Sequence, residues 1–206
     1  MAAKSNTLRL SKLTYSIKRG TVNAICYFID IVLFLFIKRK EPHNINKNVL
    51  LIRPDAIGDF IVWSASAKAY REIYPSNLFN IVLLGNGACK DLAMKMGIFD
   101  LFLPFDRKKF MLNFSYRLDK WQELTSINFH TIIYPAYSRE FATGDLLIKR
   151  LKAVNKIGIC SDNAIDDKFW HKLINKAFTK LYDLPNVHSH ELIKNQAFIA
   201  LSLIHI

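Results

Sequence analysis

The chain has 206 residues, of which 51% are hydrophobic and 13% aromatic, with only 7 glycines and 6 prolines. That composition excludes intrinsic disorder and low-complexity or repeat architectures, and it suffices for one real core with some chain left over. A formal net charge of +12 at pH 7 points to an anionic partner, whether nucleic acid, membrane surface or phosphorylated substrate.

Residues 1–45 read as a basic, amphipathic, membrane-associating segment. From Lys4 to Lys47 the only acids are Asp30 and Glu41, and an apolar run from Ala24 to Ile37 is closed by Lys38-Arg39-Lys40. The run is shorter than the roughly 20 apolar residues a bilayer span needs and holds Asp30 near its middle. It begins late for a secretory signal and is followed by no small-residue cleavage site. At helical spacing Lys12, Ser16, Arg19, Asn23 and Asp30 share one face, with Ile17, Ala24, Ile25, Phe28, Val32 and Leu35 on the other. Such a helix is expected to lie in the headgroup layer of an anionic membrane, apolar face down. A transmembrane anchor and packing on the domain's own core are the alternatives.

Glu41-Pro42-His43-Asn44 is a polar break, which places the globular domain at 46–200. Val49 to Arg53 is a short apolar run suited to a buried parallel strand. Pro54 to Gly58 must be a loop, and a helix from Asp59 or Phe60 to about Tyr74 stops before Pro75. Phe79 to Leu84 is a second strand, Gly85-Asn86-Gly87 a turn, and Ala88 to Met96 a helix ending at Gly97. Leu101 to Phe105 is a third strand and Tyr116 to Ile127 a helix carrying Trp121. Phe129 to Tyr134 is a further strand, followed by a loop from Pro135 to Arg139, a helix to Val154 and a short strand from Lys156 to Cys160. A last helix runs from about His190 to Ala200. This alternation predicts an α/β fold, a Rossmann-like, doubly wound parallel sheet, with ligands at the carboxyl ends of its strands. Cys26, Cys89 and Cys160 are odd in number and scattered, which fits a reducing compartment and three ordinary thiols.

The segment from Arg53 to Asp59 leaves the first strand and opens the first helix of the domain, a suitable place for a reactive carboxylate or an anion site. No nucleotide fingerprint accompanies it: a Walker-type Gly-Lys-Ser/Thr is absent, and Gly85 to Lys90 lacks the final glycine of a dinucleotide loop. Asp59 is also well placed to cap the helix, and Arg53 to reach solvent from a strand end. Tyr137-Ser138-Arg139 is an ordinary loop composition. Arg107-Lys108-Lys109 reads as a solvated turn that adds to membrane attraction. His188 and His190 belong to no metal-ligand set, and Trp63, Trp121 and Trp170 read as packing residues.

Leu51-Ile52-Arg53-Pro54-Asp55-Ala56-Ile57-Gly58-Asp59 resembles the opening of glycosyltransferase family 9, the lipopolysaccharide heptosyltransferases, where a strand and a basic residue lead through a short loop into Gly-Asp at a helix start. The likeness runs on through Ala65, Ala67, Tyr70 and Tyr74-Pro75, returns from Ile132 to Arg139 and at Lys156-Ile157-Gly158, and ends at His190-Glu191. It covers about Lys47 to Ala200. The resemblance implies the N-terminal, acceptor-side half of a two-domain GT-B enzyme whose missing C-terminal half holds a nucleotide-sugar donor, usually ADP-heptose. It implies metal-independent, inverting transfer to a lipopolysaccharide core or related lipid-linked saccharide, with no cofactor, the nucleotide sugar being a substrate. Asp59 would be the base; Arg53, Gly58, Ser138 and Arg139 would bind substrate. Pro54 and Asp55 stand where the best-known members carry small hydroxyl residues.

The expected partners are therefore a nucleotide sugar, a lipid-linked saccharide and an anionic membrane, at the cytoplasmic face of the bacterial inner membrane. Nucleic acid is not among them, because no recognition motif accompanies the charge. The rival reading is a non-catalytic module that binds a membrane surface. Leu201-Ser202-Leu203-Ile204-His205-Ile206 matches one translated frame of a transposase end used in sequencing libraries, so 201–206 reads as an adapter-derived tail, with an ordinary apolar helix end as the alternative. The chain is then a fragment that is inactive on its own.

Overall fold

The computed structural model describes residues 2–37, 47–166, 168–184 and 190–203, with side chains from Thr14 onward. Lys38-Arg39-Lys40, the polar break at 41–44, the domain start at 46 and residues 204–206 lie outside the described residues, as does the side chain of Lys12.

Six parallel strands form one sheet: β1 (Lys47–Arg53), β2 (Phe79–Gly85), β3 (Leu101–Pro104), β4 (Phe129–Tyr134), β5 (Asn155–Ile159) and β6 (Lys180–Tyr182). Their order is β3-β2-β1-β4-β5-β6, all neighbours parallel. The α/β, Rossmann-like doubly wound architecture expected from the alternation is present. The central strand shows why. Val49 and Leu51 point into one core layer, Leu50 and Ile52 into the other, so every residue of the run is buried. One layer holds Trp63, Tyr70, Ile81, Leu83 and Phe198; the opposite layer holds Val82, Leu84, Phe110, Trp121, Ile132 and Leu147.

Helices cover both faces. On one lie α2 (Ile57–Ile73), α3 (Lys90–Lys95) and α8 (Glu191–Leu203), the last packed on α2. On the other lie α4 (Arg107–Leu112), α5 (Phe114–Thr125) and α6 (Leu146–Arg150), the last preceded by a π-turn at Phe141–Asp145, with α7 (Lys168–Asn175) alongside. Gly97 follows α3 with φ +65°, a backbone region that glycine enters without strain. Gly144 lies so close to the Tyr134 ring that a Cβ there would overlap it.

Four elements differ from the sequence reading. The helix expected from Tyr116 is preceded by α4, a separate turn capped by Asp106, whose carboxylate accepts from the Lys109 amide at 2.9 Å. The helix expected to reach Val154 ends at Arg150, because Leu151 turns extended (ψ 145°). Helix α7 and strand β6 follow where no element was expected; three residues are too few for an alternating pattern to show.

The N-terminal helix α1 (Ala2–Phe36) packs against the π-turn and helices α4 and α5. From Thr14 to Phe36 it is long and apolar enough to cross a membrane. Its polar face, however, is turned inward. Arg19 binds Glu140 (2.5 Å) and Asp166 (3.1 Å), and Asn23 donates to Asp166 at 2.7 Å. Fully buried Asp30 accepts from Arg117 Nε and Nη2 and from Trp121 Nε1, all at 2.6 Å. Cys26 and Leu33 complete this inner face, while Ile25, Phe28, Val32 and Leu35 look outward.

Candidate active site

The strand order reverses between β1 and β4, and the crevice outside their carboxyl ends is where open α/β sheets bind ligands. Two loops meet there. The first, Pro54–Ala56, links β1 to α2; the second, from Pro135 to Arg139, follows β4.

Arg53 ties them together. Its side chain is 3% exposed, its Nη1 donates to the Pro135 carbonyl at 2.8 Å, and its Nε lies 2.8 Å from Asp55 Oδ2. The guanidinium stacks 5.4 Å from the centre of the Trp63 ring. Asp55 therefore neutralises Arg53 instead of adding free charge to the crevice. Arg53 is a brace beneath both loops, with its side chain almost wholly enclosed.

Asp59 does not cap α2. The cap position is Ala56, in extended conformation, and the helix begins at Ile57, so Asp59 stands one residue short of a full turn inside it. Its side chain is exposed, and among the described residues it has no hydrogen-bond or ion-pair partner. Position 58 before it is open: a Cβ on Gly58 would meet nothing within 4 Å. A free carboxylate in a first helical turn, with space in front of it, is available to take a proton from a bound hydroxyl.

Ser138 is exposed and donates to Asp162 Oδ2 at 2.8 Å, joining the β4 loop to the loop after β5. Arg139, the next residue, points inward and is wholly buried. It lies 3.4 Å from Asp145, donates to Asn175 at 2.6 Å and stacks on Phe178. Asp145 also holds His171 at 3.1 Å. The structure thus brings Arg53, Gly58, Asp59 and Ser138 to one edge of the sheet and places the Arg139 side chain in the interior.

A basic cleft of about 540 Å³ opens beside Pro54, across the carboxyl ends of β2 and β3. Arg107, Lys108, Lys109 and Lys120 line it, with Asn86, Gly87 and Tyr116. Lys120 is paired with Glu123 at 2.6 Å, whereas Lys108 and Lys109 are exposed. The sequence shows three consecutive basic residues just after a strand's carboxyl end. Only the β3-β2-β1 order reveals that this end adjoins the Pro54 loop.

Fold and crevice define a Rossmann-like domain with an uncommitted carboxylate at its switch point. No protein-family model and no curated protein matches the sequence. Among solved structures, the fold is similar to E. coli heptosyltransferase WaaC with ADP-2-deoxy-2-fluoro heptose (TM-score 0.61, 12% identity, 77% of this chain and 49% of that one). It is similar also to WaaC with ADP (TM-score 0.60, 13% identity, 76% of this chain and 47% of that one). The chain spans about half the length of these structures, and at such identity the likeness is one of fold.

Proposed function

We propose that this chain is the acceptor-side half of an inverting glycosyltransferase of the heptosyltransferase family. The observation that carries the reading is the free carboxylate of Asp59 at the switch-point crevice. The fold likeness supports it, since the similar structures hold ADP or an ADP-heptose analogue. The donor would be a nucleotide sugar, ADP-heptose by that analogy, held by a second domain. The acceptor would be a lipopolysaccharide core or related lipid-linked saccharide at the cytoplasmic face of a bacterial inner membrane.

In this mechanism an acceptor hydroxyl attacks the anomeric carbon from the face opposite the nucleotide. Its proton passes to Asp59, the carbon–oxygen bond to the diphosphate breaks, and configuration inverts. The reading needs no metal: cationic groups of the donor half would meet the charge on the departing diphosphate. Arg53 positions the loop that leads into the helix carrying Asp59. Lys108 and Lys109 in the adjoining cleft suit the sugar acids or phosphates of an anionic acceptor.

The test is Asp59→Asn in the intact protein, with ADP release measured in the presence of acceptor. We expect kcat to fall by about 10²–10⁴-fold with the urea midpoint unchanged, because the exposed carboxylate holds nothing together. Transfer at the wild-type rate would remove Asp59 as the base. The outward apolar stripe of α1 favours one rival, a non-catalytic membrane-surface module. In that case the intact protein binds vesicles and turns over no nucleotide sugar.

A further inference from the structure

The orientation of α1 is the reverse of what water selects. A surface helix on a soluble domain buries its apolar stripe and exposes its polar one. Here Arg19, Asn23 and Asp30 are keyed into the domain by ion pairs and hydrogen bonds. Ile25, Phe28, Val32 and Leu35, spaced three, four and three apart, form a continuous ridge on the opposite side, with Phe28 65% and Leu35 76% exposed. Ile31 and Phe36 widen it.

The rim of this ridge is basic. Lys149 and Arg150, in the last turn of α6, each lie 5.3 Å from the centre of the Tyr27 ring, next to Phe28. Lys18 is exposed one and two turns before Thr21 and Ile25. Asp30, the acid of this stretch, faces inward and is neutralised by Arg117.

We infer that the outward face of α1 is a docking surface for an anionic lipid bilayer, with the helix lying in the plane of the membrane and the whole domain fixed to it by the inward polar face. An apolar ridge bordered by cations suits acyl chains below and acidic headgroups beside them. A second copy of the chain is a poorer occupant, because two-fold pairing would set the same basic rims against each other. A spanning helix would have to draw Arg19, Asn23 and Asp30 out of their partners and into hydrocarbon. Docked in this plane, the helix behaves as part of the domain and not as a tether, so the sheet meets the membrane at one set angle. The inference goes beyond the transferase reading and stands or falls separately from it.

The experiment compares the intact protein with Phe28→Ser/Val32→Ser/Leu35→Ser, three exposed positions whose replacement leaves the inward clasp untouched. Both are sedimented with phosphatidylglycerol–phosphatidylethanolamine vesicles and with phosphatidylcholine vesicles, and ADP release is followed with a deacylated, water-soluble acceptor. The expected result is wild-type binding to the anionic vesicles, release by alkaline carbonate, and a loss of roughly a hundredfold in the variant, with turnover of the soluble acceptor unchanged. A wild type that binds vesicles but transfers no sugar would defeat the transferase reading and support this one. The inference is overturned if the variant binds as well as wild type, or if carbonate fails to extract the protein. It is equally overturned if the wild type ignores vesicles and forms a dimer that the variant dissociates.

Discussion

Replacing Asp30 by leucine removes the negative half of a buried ion pair. Three bonds of 2.6 Å converge on this carboxylate, two from Arg117 and one from the Trp121 indole. Burial raises the carboxyl's pKa while Arg117 and Trp121 pull against that shift, so the charge depends on these partners and not on water. Without it, Arg117 keeps the neutral Phe110 carbonyl at 2.8 Å, the Cys26 carbonyl at 3.4 Å and the face of the Phe110 ring. Stranding a buried charge in this way costs about 3–5 kcal/mol. For a chain of this size that corresponds to a fall in Tm of roughly 6–20 °C. The double variant Asp30→Leu/Arg117→Met removes both charges and leaves two neutral groups, the Trp121 N–H and the Phe110 carbonyl, without these partners, a cost of about 1–3 kcal/mol for each. Urea unfolding followed by tryptophan fluorescence reports on the site directly, since Trp121 is one of its members. The reasoning is refuted if Asp30→Leu lies within about 1 kcal/mol of wild type, or if the double variant is as unstable as the two single changes summed.

Gly144→Ala sets a methyl group against the Tyr134 ring and should destabilise the π-turn by about 1–3 kcal/mol; the urea midpoint measures it, and a neutral result would show that the ring moves freely. Alkaline stability should follow the buried tyrosines. Burial pushes the Tyr74 phenol up to about 12, and it raises Tyr70 and Tyr134 as well. Because these folded-state values lie above the unfolded value near 10, the stabilisation is complete below pH 10 and is lost as pH rises through 12. Difference absorbance at 295 nm should therefore show their ionisation only together with unfolding, and early, reversible titration of all tyrosines would contradict it.

Strands β1, β2 and β4 were legible to within two residues because central parallel strands are buried on both faces and appear as unbroken apolar runs. The loops at their carboxyl ends were legible for the same reason, Pro54 and Pro135 marking where each run stops. The faces of α1 were separated correctly by period alone, yet period does not say which face meets protein. That choice depends on Arg117, Glu140 and Asp166, acids and bases far along the chain whose proximity no local pattern records. Arg139 shows the same limit. Its loop setting and charge suggest an exposed anion site, whereas Asp145, one π-turn later, supplies a buried counter-ion that only the fold brings near. Asp59 differs by a smaller margin: the helix starts at Ile57, which moves the carboxylate off the cap and leaves it free.

The clasp that holds α1 also sets a timetable. Its polar residues wait for partners 87, 121 and 147 positions further along: Arg117 for Asp30, then Glu140 and Asp166 for Arg19. At about 5–20 residues per second of synthesis, the last of these leaves the ribosome roughly 7–30 s after the helix. Through that interval α1 has an apolar side ready and a polar side with nothing to hold. The nascent chain is thus free to find its surface before it has a domain to bring there.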